Sequence, residues 1–165
     1  MSVKKDIRIC INSTRYEVEA SLFSEVNDEN ILIVPVADGE AEPERTQIKS
    51  HGLFKLEGNR AEISYEETEL TGMEGSRTVI SYDVGDKGIV TMMRTGAVST
   101  ALVFEKGKRH HCVYKTPYMP FEVCVRTLEV KNDIEERGCM ELDYIVEIRG
   151  ARAERTKFSI RIFEE

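Results

Sequence analysis

No apolar stretch in this 165-residue chain is long enough to cross a bilayer. The longest, Ile31 to Ala37, is roughly a third of a membrane-spanning helix and contains Pro35. A signal-peptide core is missing as well: Lys4 and Lys5 open the chain, but Asp6 and Arg8 break up the apolar residues after them. These absences give the expectation of a cytoplasmic protein that does not bind membranes. Cysteine is scarce and unpatterned. Cys10, Cys112, Cys124 and Cys139 show no CxxC spacing and no histidine at zinc-like distance, so neither a metal site nor a disulfide framework is implied. There is no Gly-rich phosphate loop, since Gly72-x-x-Gly75 lacks a strand–helix setting and the Lys-Ser/Thr ending. No Ser or Cys motif marks a nucleophile, and no cofactor or catalytic residue is implied. Basic residues are absent from Glu17 to Glu44, where nine acidic ones fall. The remainder holds 23 basic against 21 acidic residues and no basic stripe, which argues against nucleic acid as a partner.

Long helical periods, internal repeats and low-complexity tracts are also missing. What the chain has instead is a series of short β-like segments between Gln47 and Phe163, separated by turn signals at nearly even intervals. The turns fall at Gly58-Asn59, Gly72 to Gly75, Gly85 to Gly88, Thr95-Gly96, Lys106 to Lys108, Thr116-Pro117, Asn132 to Gly138 and Arg149-Gly150. Val3 to Asn12 reads as a first strand with one face buried, and Arg15 to Ala20 extends it or pairs with it. Phe121/Val123/Val125, Met140/Leu142/Tyr144/Val146/Ile148 and Phe158/Ile160/Ile162 alternate at period two, as half-buried strands do. The loop from Lys131 to Gly138 has room for a helical turn. The pattern predicts one all-β domain, an antiparallel meander of about eight to ten strands that closes into a barrel or folds into a sandwich. It divides into a strand region 1–20, an acidic arm 21–45 and the meander 46–165. Within the arm, Ile31 to Val36 reads as an edge strand limited by Pro35, and it could support a homodimer.

Several side chains carry possible chemistry. Glu66 and Glu67 are adjacent in a strand and point to opposite faces, so they cannot serve one substrate as an acid–base pair. One of them faces inward and needs a partner, for which Arg94 is the natural candidate. Arg94 could serve only that carboxylate, or it could anchor the carboxylate or phosphate of a ligand. His110 and His111 likewise split between faces. Tyr65, Tyr82, Tyr114 and Tyr144 line a cavity or finish strands at solvent. If the hairpin around Tyr118 is symmetric, Cys112 lies opposite Cys124.

Four motifs occur together in order: Tyr65-Glu66-Glu67-Thr68-Glu69-Leu70-Thr71-Gly72-Met73-Glu74-Gly75, then Arg94-Thr95-Gly96, Phe104 to His110, and Tyr114-Lys115-Thr116-Pro117-Tyr118. In this the chain resembles the YwiB-like family of uncharacterised bacterial proteins over about Thr46 to Phe163. It departs from that pattern at Met119-Pro120, at His51-Gly52 and in the length of the arm. The resemblance implies a calycin-like barrel, similar in shape to lipocalins, and no function. By analogy with that fold, the expectation is non-enzymatic binding of a small, partly apolar, anionic molecule in the barrel or at its mouth. Arg94, Tyr65, Glu67, Tyr114 and His111 would be its polar contacts. The alternatives are an interaction module using the acidic arm or an edge strand, and an enzyme using His and Glu at the barrel mouth.

Overall fold

The chain was analysed as a computed structural model, which describes residues 2–18, 43–67, 75–96, 99–115, 120–148 and 153–164. Ten strands and one helical turn follow one another: β1 (Ser2–Val18), β2 (Glu44–Glu57), β3 (Arg60–Glu66), β4 (Arg77–Asp83), β5 (Asp86–Thr95), β6 (Thr100–Glu105), β7 (Arg109–Lys115), β8 (Pro120–Asp133), α1 (Ile134–Arg137), β9 (Cys139–Ile148) and β10 (Ala153–Glu164). All pairings are antiparallel, in the order β6-β5-β4-β3-β2-β1-β10-β9-β8-β7. Every neighbour in that order is a neighbour in sequence except β1 and β10, which pair the two ends of the chain from Ile7↔Glu164 to Val18↔Ala153. The sheet therefore curls into a calycin-like barrel, as expected.

Its seam lies between β6 and β7. Among the described residues these strands are joined by one bridge, in which Ser99 and Lys115 exchange two backbone hydrogen bonds of 2.9 Å. At the other end of the seam β8 takes over: the Gly107 N–H donates to the Thr127 carbonyl at 2.9 Å. These few bonds bring the two ends of the sheet together, with no ladder between β6 and β7.

Strand pleating sorts the side chains. On β1, Ile7, Ile9 and Ile11 point inward and are buried. Ala61, Ile63, Ile80, Val90, Met92, Leu102, Phe104, Val125, Met140, Leu142 and Ile160 join them in one core. Each such large side chain stabilises the fold by about 1.5–3 kcal/mol on burial. Phe104 and Tyr144 meet with ring centroids 4.5 Å apart at a tilt of 50°. A smaller cluster of Val18, Ile145 and Ala153, with Tyr16 and Leu128, has the opposite parity and lies on the outer face. Gly52 faces inward where a Cβ would strike Ile9 Cδ1 and lie 2.6 Å from the Ser64 carbonyl oxygen, so glycine permits β2 to approach β3 closely.

Some expectations hold and others need adjusting. Arg15 to Val18 extends β1, the first of the two readings given for it, and β2 starts at Glu44, just before the expected start of the meander at 46. The helical turn expected before Gly138 is α1, ended by Gly138 in the left-handed conformation (φ 69°). Cys112 pairs with Val123, not with Cys124, whose partner is His111. The hairpin is thus one residue out of the assumed symmetry. Because pleating alternates faces, Cys112 is buried inside while Cys124 belongs to the outer face, and none of the four cysteines forms a disulfide. The acidic arm with its Ile31 to Val36 segment, and the turns at 68–74 and 116–119, lie outside the described residues.

Candidate functional site

One cross-strand row carries the polar interior. Tyr65 on β3 pairs with Thr78 on β4, Thr78 with Arg94 on β5, and Arg94 with Thr100 on β6. Residues directly opposite in antiparallel strands share a face, so all four point into the barrel. Glu67, two residues past Tyr65, has the same parity and is buried, while Glu66 is exposed. The Thr78 hydroxyl donates to Glu67 Oε1 at 2.5 Å, and Arg94 Nε lies 3.4 Å from the same oxygen. The Glu67 side chain is 1% exposed and that of Arg94 18%. An inward glutamate partnered by Arg94 is what the sequence required.

Around this pair the barrel leaves a cavity of about 240 Å³. Tyr65, Glu67, Arg94, Thr100, Tyr114 and Tyr144 contribute its polar wall. Ile11, Ile48, Leu102, Val146 and Phe158 contribute the apolar wall. Arg15, Glu44 and Glu154 stand at its exposed rim, with Arg15 Nε 3.8 Å from Glu154 Oε2. This is the end of the barrel at which β1, β3, β5, β7 and β9 finish and β2, β4, β6, β8 and β10 begin. The opposite end is shut by tight turns at Gly58, Gly85 and Gly107 and by α1.

The electrostatics favour neutral phenols beside a charged guanidinium. Burial, then the neighbouring Glu67 charge, pushes the Tyr65 hydroxyl well above its ordinary pKa. Burial raises Tyr114, with Tyr144 adding to it. Burial also raises Tyr144, partly offset by Arg94 and Arg15. At neutral pH these phenols keep their protons and can donate. Burial works against the charge on Arg94, but the oxygens of Tyr65, Glu67, Tyr144 and Tyr114 outweigh it and hold its pKa above the usual value. Thr100 Oγ1 is buried in this wall without a hydrogen-bond partner among the described residues, whereas Arg94 Nε is held in its ion pair with Glu67. A buried donor left unmade costs about 1–3 kcal/mol, so the Thr100 hydroxyl, directly across from Arg94, favours an acceptor at this spot.

Four of the five residues named from sequence therefore converge: Arg94, Tyr65, Glu67 and Tyr114. His111 does not. On β7, Cys112 is buried and Tyr114 lines the cavity, whereas His111 and Val113 are exposed. An odd spacing of three separates His111 from Tyr114, and in a strand that puts them on opposite faces. Counting parity would have removed it. His110 lies 3.5 Å from Glu105 Oε1, and neither residue lines the cavity. Among the described residues no group of three His, Cys, Asp or Glu could hold a metal ion. No helix there is long and apolar enough to cross a membrane. Sequence reasoning missed Thr100, Arg15 and Glu154. Arg15 carried a signal, since it continues the inward series Ile7, Ile9, Ile11, Ser13.

Fold and site together define a class: an all-β calycin-like barrel with one polar, arginine-centred cavity at its mouth. Residues 31–160 match the model of a family described as a domain of unknown function, DUF1934, and the chain belongs to that family. The fold is shared with the crystal structure of the ywiB protein from Bacillus subtilis. That match has a TM-score of 0.66 at 15% identity, over 96% of this chain and 92% of that one. No curated protein matches the sequence.

Proposed function

We propose that the protein binds a small, partly apolar, anionic molecule in the mouth of the barrel and performs no chemistry on it. The observation that carries this reading is the buried Thr100 hydroxyl, without a hydrogen-bond partner among the described residues, directly across from the Arg94 guanidinium in one cavity. A carboxylate or phosphate oxygen could accept from both residues, and arginine suits such an anion because its donors are fixed in a planar fork. Tyr65, Tyr114 and Tyr144 stay neutral around it and add no negative charge to the cavity. The volume of about 240 Å³ lies just below the usual range of ligand pockets, which limits the ligand to a small molecule. The rival reading, an interaction module, draws on the acidic arm, outside the described residues.

The test is native mass spectrometry of protein purified gently from its own cells. The expected spectrum shows a stoichiometric small molecule that is lost on denaturation and absent from Arg94→Lys, which keeps the charge but not the fork. A bare mass for the wild-type chain, together with no change in thermal stability across a panel of small carboxylates and phosphates, would overturn the reading.

A further inference from the structure

Glu67 restricts the charge that a ligand can bring. Its carboxylate is buried and held from two sides, with the Thr78 hydroxyl at 2.5 Å and Arg94 Nε at 3.4 Å from one oxygen. Arg94 therefore does not meet a ligand as a free cation, because one buried negative charge already matches it. No second cation stands beside it. Among the described residues the cavity lining carries two cations, Arg15 and Arg94, against three carboxylates, Glu44, Glu67 and Glu154. Arg15 is half exposed at the rim, where its Nε lies 3.8 Å from Glu154 Oε2. Tyr65, Tyr114 and Tyr144 keep their protons and supply no positive charge. Such a site treats one and two negative charges differently. The cost of taking an ion out of water rises with the square of its charge, whereas its attraction to one guanidinium rises only in proportion.

We infer that the ligand is a monoanion, a monocarboxylate rather than a phosphate monoester, and that Glu67 is the residue that sets this limit. This deepens the ligand-binding reading and rests on it. A monoanion shares Arg94 with Glu67 through the remaining N–H groups of the guanidinium, and it accepts from the Thr100 hydroxyl directly across. A dianion finds no further cation for its second charge, and that charge also repels the Glu67 carboxylate. Rejection of the second charge is thus built into the site by a buried like charge.

Isothermal titration of the full chain with hexanoate, butyl sulfate and butyl phosphate tests this. The two esters share a shape and differ by one charge at about pH 8, since a phosphate monoester loses its second proton near about pH 6 and a sulfate monoester has none to lose. The expected result is that hexanoate and butyl sulfate bind about tenfold or more tightly than butyl phosphate. Lowering the pH to about 5 turns butyl phosphate into a monoanion, so its affinity should approach that of butyl sulfate, which controls for protonation of the protein. Glu67→Gln keeps an oxygen for the Thr78 hydroxyl, removes the charge and leaves Arg94 unmatched, so butyl phosphate should gain most and the gap should close. Three results would each overturn the inference and leave an anion site standing: butyl phosphate binding as tightly as butyl sulfate at the higher pH, a gap that acid does not narrow, or a gap that persists in folded Glu67→Gln. Should that variant not fold, the comparison of the two esters across pH on the wild-type chain decides alone. Binding of none of the three probes would overturn the inference along with the anion-site reading for short-chain ligands.

Discussion

Replacing Arg94 by alanine leaves the Glu67 carboxylate in a site where its side chain is 1% exposed. Stranding a buried charge typically costs about 3–5 kcal/mol. Urea unfolding of Arg94→Ala should show a loss of that order, and Arg94→Met combined with Glu67→Leu should recover most of it. Recovery would identify the loss as the stranded carboxylate rather than lost packing. Thr100 predicts the opposite sign. Thr100→Val keeps the shape and removes a buried hydroxyl without a hydrogen-bond partner, so stability should rise by about 1 kcal/mol even as ligand affinity falls. A variant that is more stable and binds less well is the signature of a donor held ready for a ligand; a less stable one would mean that the hydroxyl serves the fold. Gly52→Ala should destabilise by about 1–3 kcal/mol, from overpacking against Ile9 and the Ser64 carbonyl. Of the residues that carry these effects, Arg94 and Glu67 were legible in sequence, because an inward glutamate demands a nearby cation. Thr100 was not, since a threonine opening a strand has no distinguishing local pattern.

At the scale of elements, the seam between β6 and β7 should be the softest part of the wall. Every other neighbouring pair shares a ladder, whereas these strands share the single bridge from Ser99 to Lys115 among the described residues. Backbone groups along such a seam open to solvent more readily than those in a full ladder. Hydrogen–deuterium exchange should therefore be faster in peptides from β6 and β7 than in those from β1 and β10, which pair over twelve residues. Equal protection would show that the seam is closed in solution. Because Thr100, Leu102 and Tyr114 belong to these two strands and line the cavity, a ligand seated there should slow exchange along the seam first. The hairpin from β7 to β8 shows the limit of reading elements from sequence. The hairpin itself was legible, but its register was one residue out, which moved Cys124 away from Cys112 and next to His111.

For the molecule as a whole, the buried phenols tie stability to alkaline pH. Tyr65, Tyr82, Tyr114 and Tyr144 are all raised above their ordinary value, with burial as the leading cause. In the unfolded chain they ionise near pH 10. A raised folded-state pKa means that the stabilisation is complete below about pH 10 and is lost as pH climbs towards the folded values. The expected observation is a native tyrosinate absorbance near pH 10 well short of that of the denatured chain, with the remainder arriving together with unfolding. A full native amplitude would mean that these hydroxyls reach solvent.

What the sequence determined by itself was local: alternation at period two, turn residues at Gly58, Gly107 and Gly138, and the opposite faces of Glu66 and Glu67. Pleating imposes these within a few residues, and so the all-β meander and one inward glutamate of the pair could be read directly. Only the tertiary structure decided that β10 closes on β1, that β6 barely meets β7, and that Arg15, Arg94, Thr100, Tyr144 and Glu154 surround one cavity. Those contacts join residues far apart in the chain. They depend on the register of every hairpin in between, and one slipped pair turns a cavity residue outward.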